Sequence, residues 1–367
     1  MYKVAIIGCG RISHKISEGI ADNYPKMQLI ALCDLIEDKT YETEKTYNKK
    51  LDKEHQISKY TDYREMINKE KIDIAIISTE SGYHEEIGLY CLKHGIHTII
   101  EKPLAMSIEG AQKLVDKAKE KGLKLAASHQ NRFNYPIQLL KEAIVDGKMG
   151  RIFTGMARIL WTRDDNYYLQ APWRGTWELD GGTLMNQCIH NIDLLNWMMD
   201  DEIDTVYAQT STFIRNIEAE DYGVIVIRYK SGKIGTVEGS AIVYPRNLEE
   251  TLTITGEKGT VVIGGMAVNK INTWRVEGDK EEDYLNIDCG DPNSVYGFGH
   301  RALYQDFIEA IEKNRKPLID GEAGLNAVKI ILAAYKSQIS GLPIKFKDLE
   351  DFNTAEIKKW LRYEKEI

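Results

Sequence analysis

Gly8-Cys9-Gly10-Arg11-Ile12-Ser13 follows a short apolar run, Val4 to Ile7, and opens an amphipathic stretch. Glycines so spaced between a strand and a helix suit a diphosphate. Gly8 permits the tight turn, Gly10 lets the backbone come near a pyrophosphate, and the first amides of the helix, reached through Arg11 and Ile12, stabilise its charge. The third position of such a motif ordinarily holds glycine or alanine; here it is Ser13, still small enough for close helix–strand packing. Asp34 closes the next apolar run, 24 residues beyond Gly10. A carboxylate there accepts the adenosine ribose hydroxyls and repels a 2′-phosphate, and Leu35 rather than an arginine follows it, so the expected cofactor is NAD and not NADP.

The elements that must position these residues alternate. Val4 to Ile7, Leu29 to Cys33, Ile74 to Ile77, Thr98 to Ile100 and Leu123 to Ala127 are short apolar runs separated by helix-spaced segments such as 62–67 and 108–115, and Gly95 and Gly122 stand where helices end. That alternation predicts parallel βαβ units and a doubly wound sheet. From about Phe153 the pattern changes. Val224 to Tyr229, Ile234 to Gly239 and Thr251 to Thr255 succeed one another across the turn signals 230–233 and 256–259. Helices are expected near Leu184 to Met199, His300 to Asn314 and Gly321 to Ser337, with a short one in the charged tail after Lys347. The fold class is therefore α/β: a Rossmann dinucleotide-binding domain over 1–128, then an α+β domain over 129–367 with a mainly antiparallel open sheet.

A chain of 367 residues exceeds the roughly 250–300 at which one core usually divides. With 43% hydrophobic and 28% charged residues the composition is that of a globular protein, and no apolar run approaches the ~20 residues of a membrane span. The N-terminus has no signal-peptide pattern, which predicts a cytoplasmic location. Five scattered cysteines suggest reduced thiols and no metal site. A formal net charge of −8 argues against nucleic acid and anionic membranes as partners. The run Lys49-Lys50-Leu51-Asp52-Lys53 reads as a solvated helix face.

Glu101-Lys102-Pro103, at the end of an expected strand, resembles the signature of the glucose-fructose oxidoreductase and inositol dehydrogenase family. Ser78-Thr79 and His84, Asn131-Arg132, and Gly181-Gly182 leading to His190-Asn191-Ile192-Asp193 extend the resemblance over nearly the whole chain. Within the family, segments 130–134, 161–168, 171–177, 186–190 and 297–300 look like the UDP-N-acetylglucosaminuronate 3-dehydrogenase group. Those enzymes oxidise the sugar 3-hydroxyl with NAD, ahead of an aminotransferase, on the route to diacetamido-uronic acids of bacterial surface polysaccharides. The resemblance implies that Ser78, Thr79, His84, Glu101, Lys102 and Gln130 join Gly8, Gly10, Arg11, Ile12 and Asp34 around NAD. It implies a UDP-sugar substrate held by Lys102, Asn131, Arg163, Tyr168, Arg174, Asn186, Gln187 and His190. It also implies a homo-oligomer, dimer or tetramer, and a 2-oxoacid such as 2-oxoglutarate as the reoxidant where NADH stays bound.

Oxidising a secondary alcohol needs a proton acceptor, a positive group beside the developing alkoxide, and the nicotinamide nearby. Lys102 and His190 can supply the first two. An imidazole, ordinarily near pKa 6.5, is the better base at neutral pH, so His190 is assigned that role with Lys102 as electrostatic partner; the reverse is the alternative. A cis bond at Pro103 is expected to fix the lysine's approach. Many relatives carry an aspartate four residues before the histidine, where this chain has Asn186, read as a substrate hydrogen-bonding residue. Arg163 and Arg174 are the cations available for a diphosphate and a carboxylate. Trp173 and Arg174 have a second role open to them, contact with the nicotinamide half of the cofactor. Tyr167, Tyr168 and Trp177 either stack on the ligand or pack between elements. The competing functions are another sugar or polyol dehydrogenase or keto-sugar reductase, a glycoside hydrolase that retains NAD, and a non-catalytic sugar-binding regulator; the intact Lys102 and His190 argue against the last.

Overall fold

The computed structural model describes residues 1–290, 297, 299–350, 352–354 and 357. Phe298 and most of the charged tail, where a short helix is expected, lie outside them. The chain forms two compact units. One comprises Met1–Gln130 with Gly299–Leu325, the other Asn131–Phe298 with Asn326–Ile367. Relative to the expected division at 128/129, the first unit thus also takes in Gly299–Leu325.

In the first unit, strands β1 (Tyr2–Ile7), β2 (Met27–Cys33), β3 (Ser58–Tyr60), β4 (Ile74–Ile77), β5 (His97–Ile100) and β6 (Leu125–Ala127) form one parallel sheet in the order β3-β2-β1-β4-β5-β6. Its central strands are continuous apolar runs because both faces are covered: Val4 to Ile7 and Ile74 to Ile77 are almost wholly buried. The strand order reverses between β1 and β4, and ligands of such sheets bind at the carboxyl ends of the strands at that point. Gly8 and Ser78 emerge there. The intervening helices are terminated locally. The Asp62 side chain caps Tyr63–Lys69, Ser107 caps Ile108–Lys121, and Gly122 ends the latter at φ +65°. Helix Glu37–Leu51 ends at Asp52, which is left-handed, so Lys53 lies beyond the helix whose last turn holds Lys49 and Lys50. The helix Gly299–Glu312 completes this unit against helix Ser13–Asp22: a Cβ on Gly19 would lie 2.8 Å from the Tyr304 ring.

In the second unit, β7 (Ile152–Leu160), β8 (Ile203–Ser211), β9 (Tyr222–Tyr229), β10 (Ile234–Ser240), β11 (Glu249–Gly256), β12 (Gly259–Gly264), β13 (Lys270–Val276) and β14 (Ile344–Lys345) form an eight-stranded sheet ordered β13-β12-β11-β7-β10-β9-β8-β14. Every pairing is antiparallel except β7 with β10. One helix covers a face of it, with Leu195 and Met199 filling the notch left by Gly155. The continuous helix expected from Leu184 to Met199 is two pieces, Thr183–Asn186 and Ile189–Met199. Both Gln187 and Cys188 donate their N–H to the Thr183 carbonyl, at 2.9 and 3.0 Å, and the helix restarts from the Cys188 carbonyl. Uniformly apolar spacing conceals this break; its result is that Asn186 and Gln187 sit at a corner.

Candidate active site

The cofactor face of the first unit starts at Gly8, whose φ is +94° and whose added Cβ would stand 2.5 Å from the Ser78 carbonyl carbon. The Ser78 hydroxyl donates to the Gly8 carbonyl at 2.7 Å, tying the loops after β1 and β4 together. A Cβ on Gly10, by contrast, would meet nothing within 4 Å. That open backbone at the start of a helix is the cradle a pyrophosphate needs. Ser13, the departure from the usual motif, is accommodated by hydrogen bonds to the Gly10 carbonyl (2.8 Å) and the Thr43 hydroxyl (2.9 Å). Asp34 accepts N–H groups from Cys9 at 2.8 Å and Ile36 at 2.9 Å, which fixes its carboxylate at the end of β2 where ribose hydroxyls would pair. The residues present therefore fit a dinucleotide.

Lys102 is half-buried and joined to Pro103 by a cis bond. His84, 1% exposed, has its Nδ1 2.7 Å from the Pro103 carbonyl and its Nε2 3.2 Å from the Thr79 carbonyl. Both ring nitrogens thus face backbone, and burial lowers the imidazole's pKa. Glu101 is buried and its carboxyl is pushed up to about 7 by desolvation, partly offset by Lys102. His300 Nε2 lies 3.9 Å away, but burial drives that imidazole down to about 4. Proximity does not make them an ion pair at neutral pH, because the histidine stays neutral. Gln130 is 3% exposed, and its carbonyl lies 2.1 Å from where a Cβ on Gly299 would stand, which is why that helix begins with glycine.

The second unit holds a polar chain. Asp180 accepts the Asn186 side-chain amide; the Asn186 carbonyl oxygen accepts Gln187 Nε2 at 2.9 Å; the same Nε2 donates to the Tyr167 hydroxyl at 3.0 Å, and Arg174 donates to that hydroxyl at 2.6 Å. The Tyr167 ring also carries two guanidinium groups, Arg174 at 4.4 Å and Arg163 at 5.2 Å from its centroid. Arg174 packs on Trp173 as well (4.6 Å) and Arg163 on Trp161 (4.6 Å). Tyr168, Asp180, Thr183, Asn186 and Gln187 line one recess. Burial raises the Tyr168 pKa, so the phenol is a neutral donor there. Trp177, 4% exposed, packs edge-on against Tyr335 at 5.2 Å, which fits packing and not ligand stacking.

His190 is half-buried on helix Ile189–Met199, four residues after Asn186. The helix is pinned by Arg132, whose guanidinium makes two 2.7 Å bonds to the buried carboxylate of Asp193. That bidentate pair explains why Asn131-Arg132 and His190 to Asp193 belong to one pattern. Asn131 is 3% exposed. Three features had no sequence signal. Asp180 is merely the residue before a glycine pair. Glu220, pushed by desolvation up to about 8, accepts the Leu184 N–H (2.8 Å) and the Tyr335 hydroxyl (3.0 Å). Glu250, likewise up to about 8 by burial, lies on β11. Among the described residues no three His, Cys, Asp or Glu side chains could hold a metal ion, and no helix is long and apolar enough to cross a membrane.

Residues 2–129 match the family described as "Oxidoreductase family, NAD-binding Rossmann fold", and residues 141–346 match its C-terminal alpha/beta domain. Among solved structures the chain is similar to the WlbA dehydrogenase of Bordetella pertussis in complex with NADH and UDP-GlcNAcA, at 34% identity and TM-score 0.81 over 94% of this chain and 98% of that one. The corresponding WlbA complex from Chromobacterium violaceum matches at 33% identity and TM-score 0.83, over 94% and 95%. Myo-inositol 2-dehydrogenase of Thermotoga maritima is 24% identical over 352 residues, 95% of this chain and 99% of that protein.

Proposed function

Because the chain belongs to the glucose-fructose oxidoreductase and inositol dehydrogenase family and has NAD as its cofactor, we propose that it oxidises the 3-hydroxyl of UDP-N-acetylglucosaminuronate to the 3-keto sugar. The observation that carries this reading is one-third identity over 94% of the chain to two dehydrogenases solved with NADH and that sugar. The arginines on Tyr167 support it, since a protein of net charge −8 needs local cations to meet a diphosphate and a carboxylate.

When bound, NAD accepts the hydride from the sugar carbon. The chain's own residues handle the proton and the orientation. His190 takes the hydroxyl proton, and the Lys102 ammonium stabilises the developing alkoxide. Gly8, Gly10, Arg11, Ile12, Asp34, Ser78, Thr79, Glu101 and Gln130 hold the cofactor, His84 braces the Thr79 and Pro103 segments, and Trp173 flanks Arg174. Asn131, Tyr168, Asn186 and Gln187 orient the sugar, while Arg163 and Arg174 meet its anionic groups. The proposed setting is a cytoplasmic homo-oligomer supplying a surface-polysaccharide route, with a 2-oxoacid as reoxidant.

The test is incubation with UDP-N-acetylglucosaminuronate, NAD and 2-oxoglutarate, coupled to an aminotransferase and read by mass spectrometry for the 3-amino product. Product that disappears in Lys102→Ala and His190→Ala supports the reading. No product, with cofactor bound and the coupling enzyme active, sinks this substrate. The alternative is an uncharged polyol or glucoside, favoured by relatives named myo-inositol 2-dehydrogenase and D-glucoside 3-dehydrogenase at 24% and 23% identity; a panel of such sugars with NAD decides it.

A further inference from the structure

Asp180 is 2% exposed, and its two oxygens have separate duties. One accepts the Gly175 N–H at 2.7 Å; the other accepts the Asn186 amide. A carboxylate has no hydrogen to give, so Asn186 must turn its NH2 towards Asp180 and its oxygen towards Gln187. Gln187 must then present its own NH2, which it shares between Asn186 and the Tyr167 hydroxyl. At the far end Arg174, a donor only, requires the Tyr167 oxygen to accept. An acceptor-only group and a donor-only group thus close the two ends of a chain whose interior members could each point either way. Thr183, 2% exposed on the same recess, has a hydroxyl that meets no hydrogen-bond partner among the described residues, as a wall built to receive a polar ligand group would.

We propose that Asp180 is a positioning residue: by pairing with Asn186 it sets the donor–acceptor direction of the chain from Asp180 to Arg174, and so decides which polar faces Asn186 and Gln187 offer to the sugar. The choice of sugar rests on the function proposed above; the pairing does not.

A reversal of the pair tests this. In Asp180→Asn the single amide oxygen can serve the Gly175 N–H or the Asn186 NH2 but not both, so one donor faces another. In Asn186→Asp two carboxylates face each other. In the double variant Asp180→Asn with Asn186→Asp, the new amide accepts from Gly175 and donates to the new carboxylate, whose other oxygen accepts from Gln187, so each of these three bonds again joins a donor to an acceptor. The expected result is that each single variant raises the KM for UDP-N-acetylglucosaminuronate at least tenfold and lowers the melting temperature, while the NADH dissociation constant holds within twofold. The double variant restores the melting temperature and lowers KM at least threefold relative to either single variant, without reaching the wild-type value, because Asn186→Asp still alters a group that faces the sugar. Asn186→Asp alone recovers substrate affinity as pH falls towards 5, because two carboxylates in contact share a proton and then regain a donor between them.

A double variant no better than Asp180→Asn in either measurement overturns the proposal. Recovery of the melting temperature without recovery of KM reduces Asp180 to a structural role and overturns it too. If the wild-type enzyme does not turn over this sugar yet the melting temperatures show the rescue, the substrate assignment fails and the pairing stands, with KM then read on the sugar the panel identifies.

Discussion

His84 Nδ1 lies 2.7 Å from the carbonyl oxygen of Pro103, the residue after Lys102. Its Nε2 faces the Thr79 carbonyl at 3.2 Å, so one buried ring spans the loop after β4 and the segment after β5. The position resembles a cofactor contact in sequence, yet the side chain is spent on backbone.

Replacing it by phenylalanine keeps an aromatic ring but strips the one N–H bond that a neutral imidazole can donate to these two carbonyls. Leaving a buried carbonyl unpaired costs about 1–3 kcal/mol. His84→Phe is expected to lower stability by that order and to reduce kcat at least tenfold, with the sugar KM within threefold of wild type. Thermal melts and steady-state kinetics check it; a normal kcat shows that the brace is irrelevant to Lys102.

Two glycines of one motif should fail differently. Gly8 has φ +94° and no room for a Cβ, so Gly8→Ala is expected to give little folded protein. Gly10 has open space, so Gly10→Ala should melt within about 2 °C of wild type while NAD binds at least tenfold more weakly. Fluorescence titration with NADH measures this. Wild-type affinity in Gly10→Ala removes the pyrophosphate from that position.

Glu220 gives a pH dependence with a definite sign. Its folded pKa of about 8 stands above the ordinary 4.5, so the folded chain keeps a proton that the unfolded chain releases. Its contribution to stability is full below about 4.5, declines through the window up to about 8, and then levels. Both of its hydrogen bonds end on one oxygen, Oε1, which glutamine retains. Glu220→Gln is therefore expected to melt near wild type at pH 5 and several degrees above it at pH 8.5. Equal shifts at both pH values would exclude titration of this carboxyl.

Arg174 divides two views of the ligand. If it meets an anionic group, Arg174→Ala raises the KM for the UDP-uronate at least thirtyfold, and Arg174→Lys recovers little, because an ammonium cannot stack on Trp173 and Tyr167 as a guanidinium does. Raising the salt concentration should weaken the wild type towards the alanine variant. A neutral polyol substrate would show neither effect.

Much of the first unit is legible in the chain itself. Ile74 to Ile77 and Val4 to Ile7 are unbroken apolar runs because a central parallel strand has no wet face, and Gly8, Gly10 and Asp34 sit at fixed offsets from those runs. β3 leaves no such trace, being three half-buried residues, Ser58 to Tyr60, at a sheet edge. In the second unit the hairpins at 230–233 and 256–259 are written in their glycines. The parallel pairing of β7 with β10 is not, since a strand's own residues do not reveal the direction of its neighbour. Asp180 and Glu220 are illegible for another reason: what makes each matter is a partner 6 or 36 residues away, brought close only by the fold.

The first unit is assembled from two stretches of chain, and this has a consequence for how the protein is made. Gly19 on helix Ser13–Asp22 is matched to Tyr304, so the groove it forms stays empty until the distant stretch that carries Tyr304 has left the ribosome. The nucleotide-binding half starts before the other half but stays incomplete until Gly299–Leu325 has been made. A fragment ending at Gln130 would expose that groove to water and to other chains, and it should aggregate or recruit chaperones, whereas the same fragment joined by a short linker to Gly299–Leu325 should fold and bind NADH.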